Sequence, residues 1–116
     1  MRYALLTLLL FSTAAYAGKH ESEYTRIWCT AHDGEQEYTL IDKARVDCLT
    51  KDYAIEVDRP ERWAESIGQA LFYAASTGRR AGIVMIMGAD SDRYMRRLRM
   101  AIRAHELDIT VWTVTE

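Results

Sequence analysis

The chain has 116 residues with 15 basic and 17 acidic side chains, which gives a formal net charge of −2 at pH 7. This length is enough for one small domain and leaves no room for a second. The near balance of charge argues neither for nor against nucleic acid as a partner.

The first 17 residues have the pattern of a secretory signal peptide. Arg2 is positive, residues 4–11 form an apolar run, and a small-residue cleavage site ends at Ala17. The run is too short to cross a bilayer, which takes about 20 residues. We therefore expect residues 18–116 to form a single exported domain, periplasmic or secreted, without membrane contact after cleavage. A retained N-terminal anchor is the alternative.

The two cysteines, Cys29 and Cys48, are predicted to form a disulfide, because a lone thiol pair tends to oxidise outside the cytoplasm. The bridge would close a loop of about 20 residues and contribute roughly 3 kcal/mol in the chain-entropy model. Two separately buried thiols are the alternative. The histidines at 20, 32 and 105 lack metal-ligand spacing, so we do not expect a zinc site.

Hydrophobic spacing predicts elements in the order αβββαβαβ. They are a helix over 20–31, strands over 37–41, 44–50 and 53–58, a helix over 61–77, a strand over 82–87, a helix over 91–107 and a strand over 109–115. The apolar run 82–87 is typical of a strand buried on both faces. The order favours an α/β (α+β) fold, a mixed sheet with helices on its faces.

The second and third strands are predicted to form a hairpin with its loop at residues 51–52. Asp47 then lies opposite Glu56, and Arg45 opposite Asp58, all on one face. Like charges directly opposite each other are destabilising, and a divalent cation with oxygen ligands would offset this. The alternatives are two solvated acids on an exposed face, with a cross-strand ion pair between Arg45 and Asp58.

The following helix has a polar stripe that includes Arg62, Gln69 and Tyr73. A neighbouring apolar stripe is expected to face the sheet, and its members are Trp63, Ile67, Ala70, Leu71 and Ala74. Such a pair of stripes is also ordinary for a surface helix, so the polar stripe alone does not indicate a site.

Together these residues resemble the PD-(D/E)XK nuclease superfamily. Asp47 matches the aspartate of that pattern, and Glu56 matches the acidic position on the next strand. Gln69 and Tyr73 match the Q-x-x-x-Y motif of an exonuclease-like branch. The resemblance implies a restriction-endonuclease-like fold with an αβββαβ core over nearly all of residues 18–116.

The chain departs from the family at the catalytic lysine, because Asp58 occupies that position. In some members the cation lies on the following helix, where this chain has Arg62. An arginine there could stabilise phosphate charge but could not act as a general base. Asp58 could instead add a metal ligand. The family often uses an acid from the first helix, for which Glu21 and Glu23 are both candidates.

The resemblance implies a metal-dependent nuclease. Mg²⁺ or Mn²⁺, held by Asp47, Glu56 and the backbone carbonyl of Val57, would activate a water and neutralise phosphate charge. Gln69 and Tyr73 would orient the site or contact nucleic acid.

Arginines along the last helix are a second feature that suits nucleic acid. Five of them could neutralise phosphates or simply form a solvated helix face, namely Arg93, Arg96, Arg97, Arg99 and Arg103. Two alternatives to a nuclease stay open. One is a nuclease-fold binding or interaction module without activity, and the other is an exported structural domain whose acids bind a cation.

Overall fold

A computed structural model describes residues 19–116, so the predicted signal peptide at 1–17 lies outside the described residues. The elements are α1 (Glu21–Ala31), β1 (Glu35–Thr39), β2 (Arg45–Leu49), β3 (Tyr53–Asp58), a 3₁₀ turn (Pro60–Arg62), α2 (Trp63–Thr77), β4 (Arg80–Met87), α3 (Ser91–Ala104) and β5 (Ile109–Thr115). Their order is the predicted one. No helix in this part of the chain is long and apolar enough to span a bilayer.

The five strands form one mixed sheet in the order β1-β2-β3-β4-β5. The first three strands are antiparallel, while β3, β4 and β5 are parallel. Parallel neighbours need a crossover, and α2 and α3 provide the two crossovers here. The predicted α/β architecture with a mixed sheet is therefore confirmed.

The core lies on both faces of the sheet. Helix α1 covers one face, where Trp28 packs with Ile55, Val57 and other buried side chains. Helices α2 and α3 cover the opposite face, where Ala70 and Leu98 pack on strand β4. Successive residues of β4 alternate between the two clusters and are buried in both, as the apolar run 82–87 predicted.

The first strand lies two residues earlier than predicted, over 35–39 instead of 37–41. Leu40 and Lys43 belong to a tight turn, in which the Lys43 N–H donates to the Leu40 carbonyl at 3.0 Å. Ile41, at the tip of that turn, is fully exposed. The apolar residues that suggested a longer strand therefore belong to the hairpin loop.

Helix α2 buries most of the predicted stripe, since Ala70 is fully buried and Trp63, Ile67 and Ala74 pack against the same core cluster. Leu71 is the exception and is 37% exposed. Two residues outside that stripe are also buried: Tyr73 is 5% exposed and Ser66 is fully buried. The Ser66 hydroxyl donates to Asp58 at the end of β3.

The predicted disulfide between Cys29 and Cys48 is confirmed, with 5.7 Å between the two Cα atoms and both residues fully buried. It joins α1 to β2 at the residue next to Asp47. Gly34 lies against the bridge, and a Cβ atom at that position would overlap both sulfur atoms. The bridge therefore fixes α1 and the start of β1 against the strand that carries Asp47.

Replacing both cysteines with alanine should lower the free energy of unfolding by about 3 kcal/mol, because the unfolded chain regains the entropy of a loop of about 20 residues. Urea unfolding of the oxidised wild type and the C29A/C48A variant measures this difference. A loss below about 1 kcal/mol would show that the bridge does not constrain the fold as argued.

Candidate functional site

The predicted hairpin register is confirmed at the loop end of β2 and β3. Cys48 pairs with Ile55 and Leu49 pairs with Ala54, and the next position in this register sets Asp47 opposite Glu56. This register brings the two carboxyls next to each other on one face of the sheet, close enough for each to shift the pKa of the other.

Strand β2 leaves β3 at Asp47. Paired residues of the two strands stop at Cys48, and the next backbone donor of β3, the Val57 N–H, donates to Asp47 Oδ2 at 2.7 Å. A side-chain oxygen thus replaces the backbone acceptor that a continued ladder would supply. In a strand the N–H and C=O of one residue point to the same side, so the Val57 carbonyl faces the same opening.

Strand β1 is also distorted at this level. Glu37 lies opposite Asp47, between the pairs Gln36 with Cys48 and Tyr38 with Val46, and its φ is +53°. A non-glycine residue in this left-handed region typically costs about 1–3 kcal/mol, and such residues cluster at functional sites. Both ladders of β2 are therefore irregular at the residue that carries the acid.

The predicted ion pair between Arg45 and Asp58 is wrong. Arg45 Nη1 lies 3.5 Å from Glu37 Oε2 instead, at the exposed side of the sheet. Because β2 diverges from β3 at Asp47, its earlier residues are carried away from the end of β3. Arg45 therefore pairs with β1.

Asp58 is buried at the end of β3, with 3% of its surface exposed. Its carboxylate accepts hydrogen bonds from the Arg59 N–H at 2.9 Å and from the Ser66 hydroxyl at 3.2 Å. Glu56 is only 6% exposed. Glu56 is therefore not solvated on an open face, whereas Asp47 beside it is half-buried.

Arg62 closes the 3₁₀ turn just before α2, one residue ahead of the helix in which it was expected. Its Nε lies 3.5 Å from Asp58 Oδ2, and its Nη2 donates to Glu65 Oε2 at 2.5 Å. The hydrogen bond with Glu65 and the charge of Asp58 raise its pKa. A permanent positive charge therefore lies beside the buried Asp58.

Of the two acids proposed on the first helix, the structure brings Glu21 to the site. Burial raises the pKa of Glu21, and the charges of Asp58 and Asp47 raise it further. Glu21 lies at the exposed N-terminus of α1, within reach of the field of these two acids. We refer to Glu21, Asp47, Glu56 and Asp58 as the acidic cluster.

Gln69 and Tyr73 lie over the same cluster, as predicted. The Tyr73 hydroxyl donates to Gln69 Oε1 at 2.6 Å. Burial raises the pKa of Tyr73, and the charges of Glu56 and Asp47 raise it further. The two residues of the Q-x-x-x-Y motif thus form one hydrogen-bonded unit beside the acid pair.

Burial and the neighbouring Asp47 raise the pKa of Glu56 to about 9. Burial also raises the pKa of Asp47, but its hydrogen bonds from the Val57 N–H and from Glu56 oppose that shift. We therefore expect the pair to hold one proton at neutral pH. Two carboxylates that lie next to each other, as those of Asp47 and Glu56 do, require either a proton or a cation between them.

The donor set predicted for a metal contains two carboxyls, Asp47 and Glu56, and one carbonyl, Val57. All are oxygen ligands, and Mg²⁺ is commonly bound through one or two carboxylates together with waters and substrate phosphates. Among residues 19–116 no group of three or more His, Cys, Asp or Glu side chains is arranged to hold a metal ion. The chemistry of the pair suits Mg²⁺ or Mn²⁺ completed by non-protein ligands.

Two residues at the site were not predicted from the sequence. Ser66 follows Arg62 by four residues, so it lies on the same side of the helical turn, and that spacing could have indicated it. Glu37 gave no signal, since nothing in its neighbours indicates a left-handed backbone.

No protein-family model, curated protein or solved structure matches this chain. We therefore infer its function from its own residues.

Stability should fall as pH rises from about 4.5 to about 9, since over this range the folded protein keeps the Glu56 proton that the unfolded chain has lost. Glu56→Gln should remove this slope and be at least about 1 kcal/mol more stable than the wild type at pH 8. Urea unfolding in chelator from pH 5 to 9 tests this, with exposed Glu61→Gln as the matched control. Parallel curves for wild type and Glu56→Gln would contradict it.

Proposed function

We propose that this protein is an exported, metal-dependent phosphodiesterase that hydrolyses nucleic acid at the acidic cluster, in the manner of the PD-(D/E)XK nucleases that it resembles. The observation that carries the proposal is the pair of the half-buried Asp47 and the buried Glu56, placed where β2 leaves β3. A buried pair of like charges is unfavourable for folding alone. The disulfide supports export, because such bridges persist in oxidising compartments.

Asp47, Glu56 and the Val57 carbonyl would hold the cation. When bound, Mg²⁺ or Mn²⁺ lowers the pKa of a coordinated water and neutralises charge on the phosphate. Asp47 is already oriented for this task by the Val57 N–H. Glu56 would give up its proton when the cation binds, so its raised pKa makes affinity increase with pH.

Gln69 and Tyr73 would position the substrate. Gln69 Oε1 accepts a hydrogen bond from the Tyr73 hydroxyl, which leaves the NH₂ group of Gln69 free to donate. A phosphate oxygen is a suitable acceptor for that group. Tyr73 stays protonated because its pKa is raised, so it adds no charge to the site.

Arg62 would supply the positive charge that the family obtains from a lysine. Its side chain is 57% exposed and can meet a phosphate from the solvent side while it remains near Asp58. An arginine cannot accept a proton at physiological pH, so its role is electrostatic stabilisation of developing charge. Asp58, held by Ser66, could serve as a further ligand or as the anchor for Arg62.

The same geometry favours a second candidate, a nucleic-acid-binding module without cleavage. The lysine is absent, and Arg62 is already paired with both Glu65 and Asp58. Salt-sensitive binding without hydrolysis would select this candidate. A purely structural cation site is the third possibility, and it would bind metal without nucleic acid.

The exported protein should cleave DNA or RNA in millimolar Mg²⁺ or Mn²⁺, and Asp47→Asn should abolish cleavage, because it removes ligand charge from the pair. Gel analysis of labelled oligonucleotides measures cleavage, and Glu61→Gln is the control for an exposed acid. If the wild type cleaves neither polymer with either metal, the enzyme hypothesis fails and the binding module replaces it.

Arg62→Ala should slow cleavage by a factor that corresponds to about 2–4 kcal/mol of lost transition-state stabilisation. This is the scale of one preorganised electrostatic group. Arg62→Lys should retain part of the rate, since it keeps the charge but not the planar hydrogen bonds. Single-turnover cleavage separates this effect from binding. An unchanged rate for Arg62→Ala would remove the arginine from the proposed mechanism.

A further inference from the structure

A cavity of about 530 Å³ lies between α2 and the β1–β2 hairpin. Its walls include Tyr38, Ile41, Leu49, Phe72 and Arg79. The volume falls in the range of about 300–1,000 Å³ that is typical of small-molecule sites. None of these residues belongs to the acidic cluster.

The cavity adjoins the acidic cluster along α2. Leu49 and Asp47 lie on the same face of β2, two residues and therefore about 7 Å apart. The ring centroid of Phe72 is 6.1 Å from that of Tyr73, whose hydroxyl is bonded to Gln69. Leu49, which lines the cavity, is therefore the residue that connects it to the strand carrying Asp47.

Two aromatic rings at this cavity remain open to solvent. Tyr38 is 36% exposed and Phe72 is 44% exposed, and the fully exposed Ile41 stands beside them. Burying these side chains against the protein would be favourable, so their exposure points to a flat apolar ligand. Aromatic faces stack on any nucleobase, with a contribution of about 1–3 kcal/mol per base.

The lining of the cavity has one positive group, Arg79, and one negative group, Asp42. One Nη atom of Arg79 donates to the Thr50 carbonyl, which fixes the guanidinium and leaves its remaining N–H groups to donate. Arg79 has no carboxylate partner among residues 19–116. A phosphate on the same ligand would satisfy it.

We propose that this cavity binds an unpaired base of single-stranded nucleic acid, stacked on Phe72 and Tyr38, while the adjoining phosphate lies at the acidic cluster. This inference rests on the proposed function and names its substrate class. A base within a duplex is already stacked and paired, so it would have to be extruded to present its face, at a cost of a few kcal/mol. The cavity therefore selects single strands or unpaired ends.

Fluorescence anisotropy with labelled oligonucleotides of about 12 nucleotides tests the proposal, since site sizes of about 4–16 nucleotides are usual. The Asp47→Asn protein serves as background, so that cleavage does not consume the probe. We expect the single strand to bind at least about tenfold tighter than the same sequence as a duplex. Phe72→Ala and Tyr38→Ala should each weaken single-strand binding by about 5- to 150-fold.

Three controls separate stacking from other effects. An abasic oligonucleotide should bind weakly and respond to neither Phe72→Ala nor Tyr38→Ala. Phe72→Trp should retain binding, and Met100→Ala, an exposed apolar residue on α3, should leave it unchanged. Circular dichroism shows whether each variant is folded. Tyr38 lies on the exposed edge strand β1, so the Tyr38→Ala variant should still fold.

Equal binding of single strand and duplex, or wild-type binding by both alanine variants, would overturn the proposal. So would a wild-type dimer that Phe72→Ala dissociates, because the cavity would then be occupied by a second copy. Loss of binding in both alanine variants without any cleavage by the wild type would support the cavity and reject the enzyme. Cleavage by the wild type that neither Phe72→Ala nor Tyr38→Ala changes would support the enzyme and reject the cavity as its binding site.

Discussion

The hydrogen bond from the Val57 N–H to the Asp47 carboxylate is the interaction on which the site depends. It ends the pairing of β2 with β3 and leaves the Val57 carbonyl facing the opening. It also holds one carboxylate against a second, Glu56, in a place with little solvent. Sheets rarely give up backbone pairing in their interior, because an unpaired buried N–H is costly. Here the side chain supplies the acceptor, so the sheet can open without that cost.

The rest of the structure supports this opening from three directions. The disulfide fixes β2 to α1 one residue away from Asp47, and α1 brings Glu21 to the cluster. Helix α2 covers the other side, where the buried Ser66 hydroxyl donates to Asp58 and the buried Tyr73 hydroxyl donates to Gln69. Support on both faces holds the carboxyls of Asp47 and Glu56 together, and carboxyls with pKa values shifted in this way are typical of functional sites.

The sequence was sufficient for the order of elements, the mixed sheet, the disulfide and the contact of Asp47 with Glu56, because alternating apolar residues permit only one hairpin register. The sequence did not predict the features that depend on a tertiary hydrogen bond instead of the local spacing of apolar residues. Strand β2 leaves β3 where the Asp47 side chain accepts the Val57 N–H, and α2 buries Ser66, whose hydroxyl donates to Asp58. The cavity at Phe72 lies outside any periodicity, since it forms between a helix and a loop.

The central claim is that a divalent cation replaces the proton held by Glu56. Calorimetric titration with Mn²⁺ at pH 7, repeated in buffers of different ionisation enthalpy, counts the protons released on binding. Wild-type protein should bind the metal and release about one proton, since the pKa of Glu56 is raised to about 9. Glu56→Gln should bind more weakly and release none from this position. Absence of binding at millimolar Mn²⁺, or binding without proton release, would contradict the account.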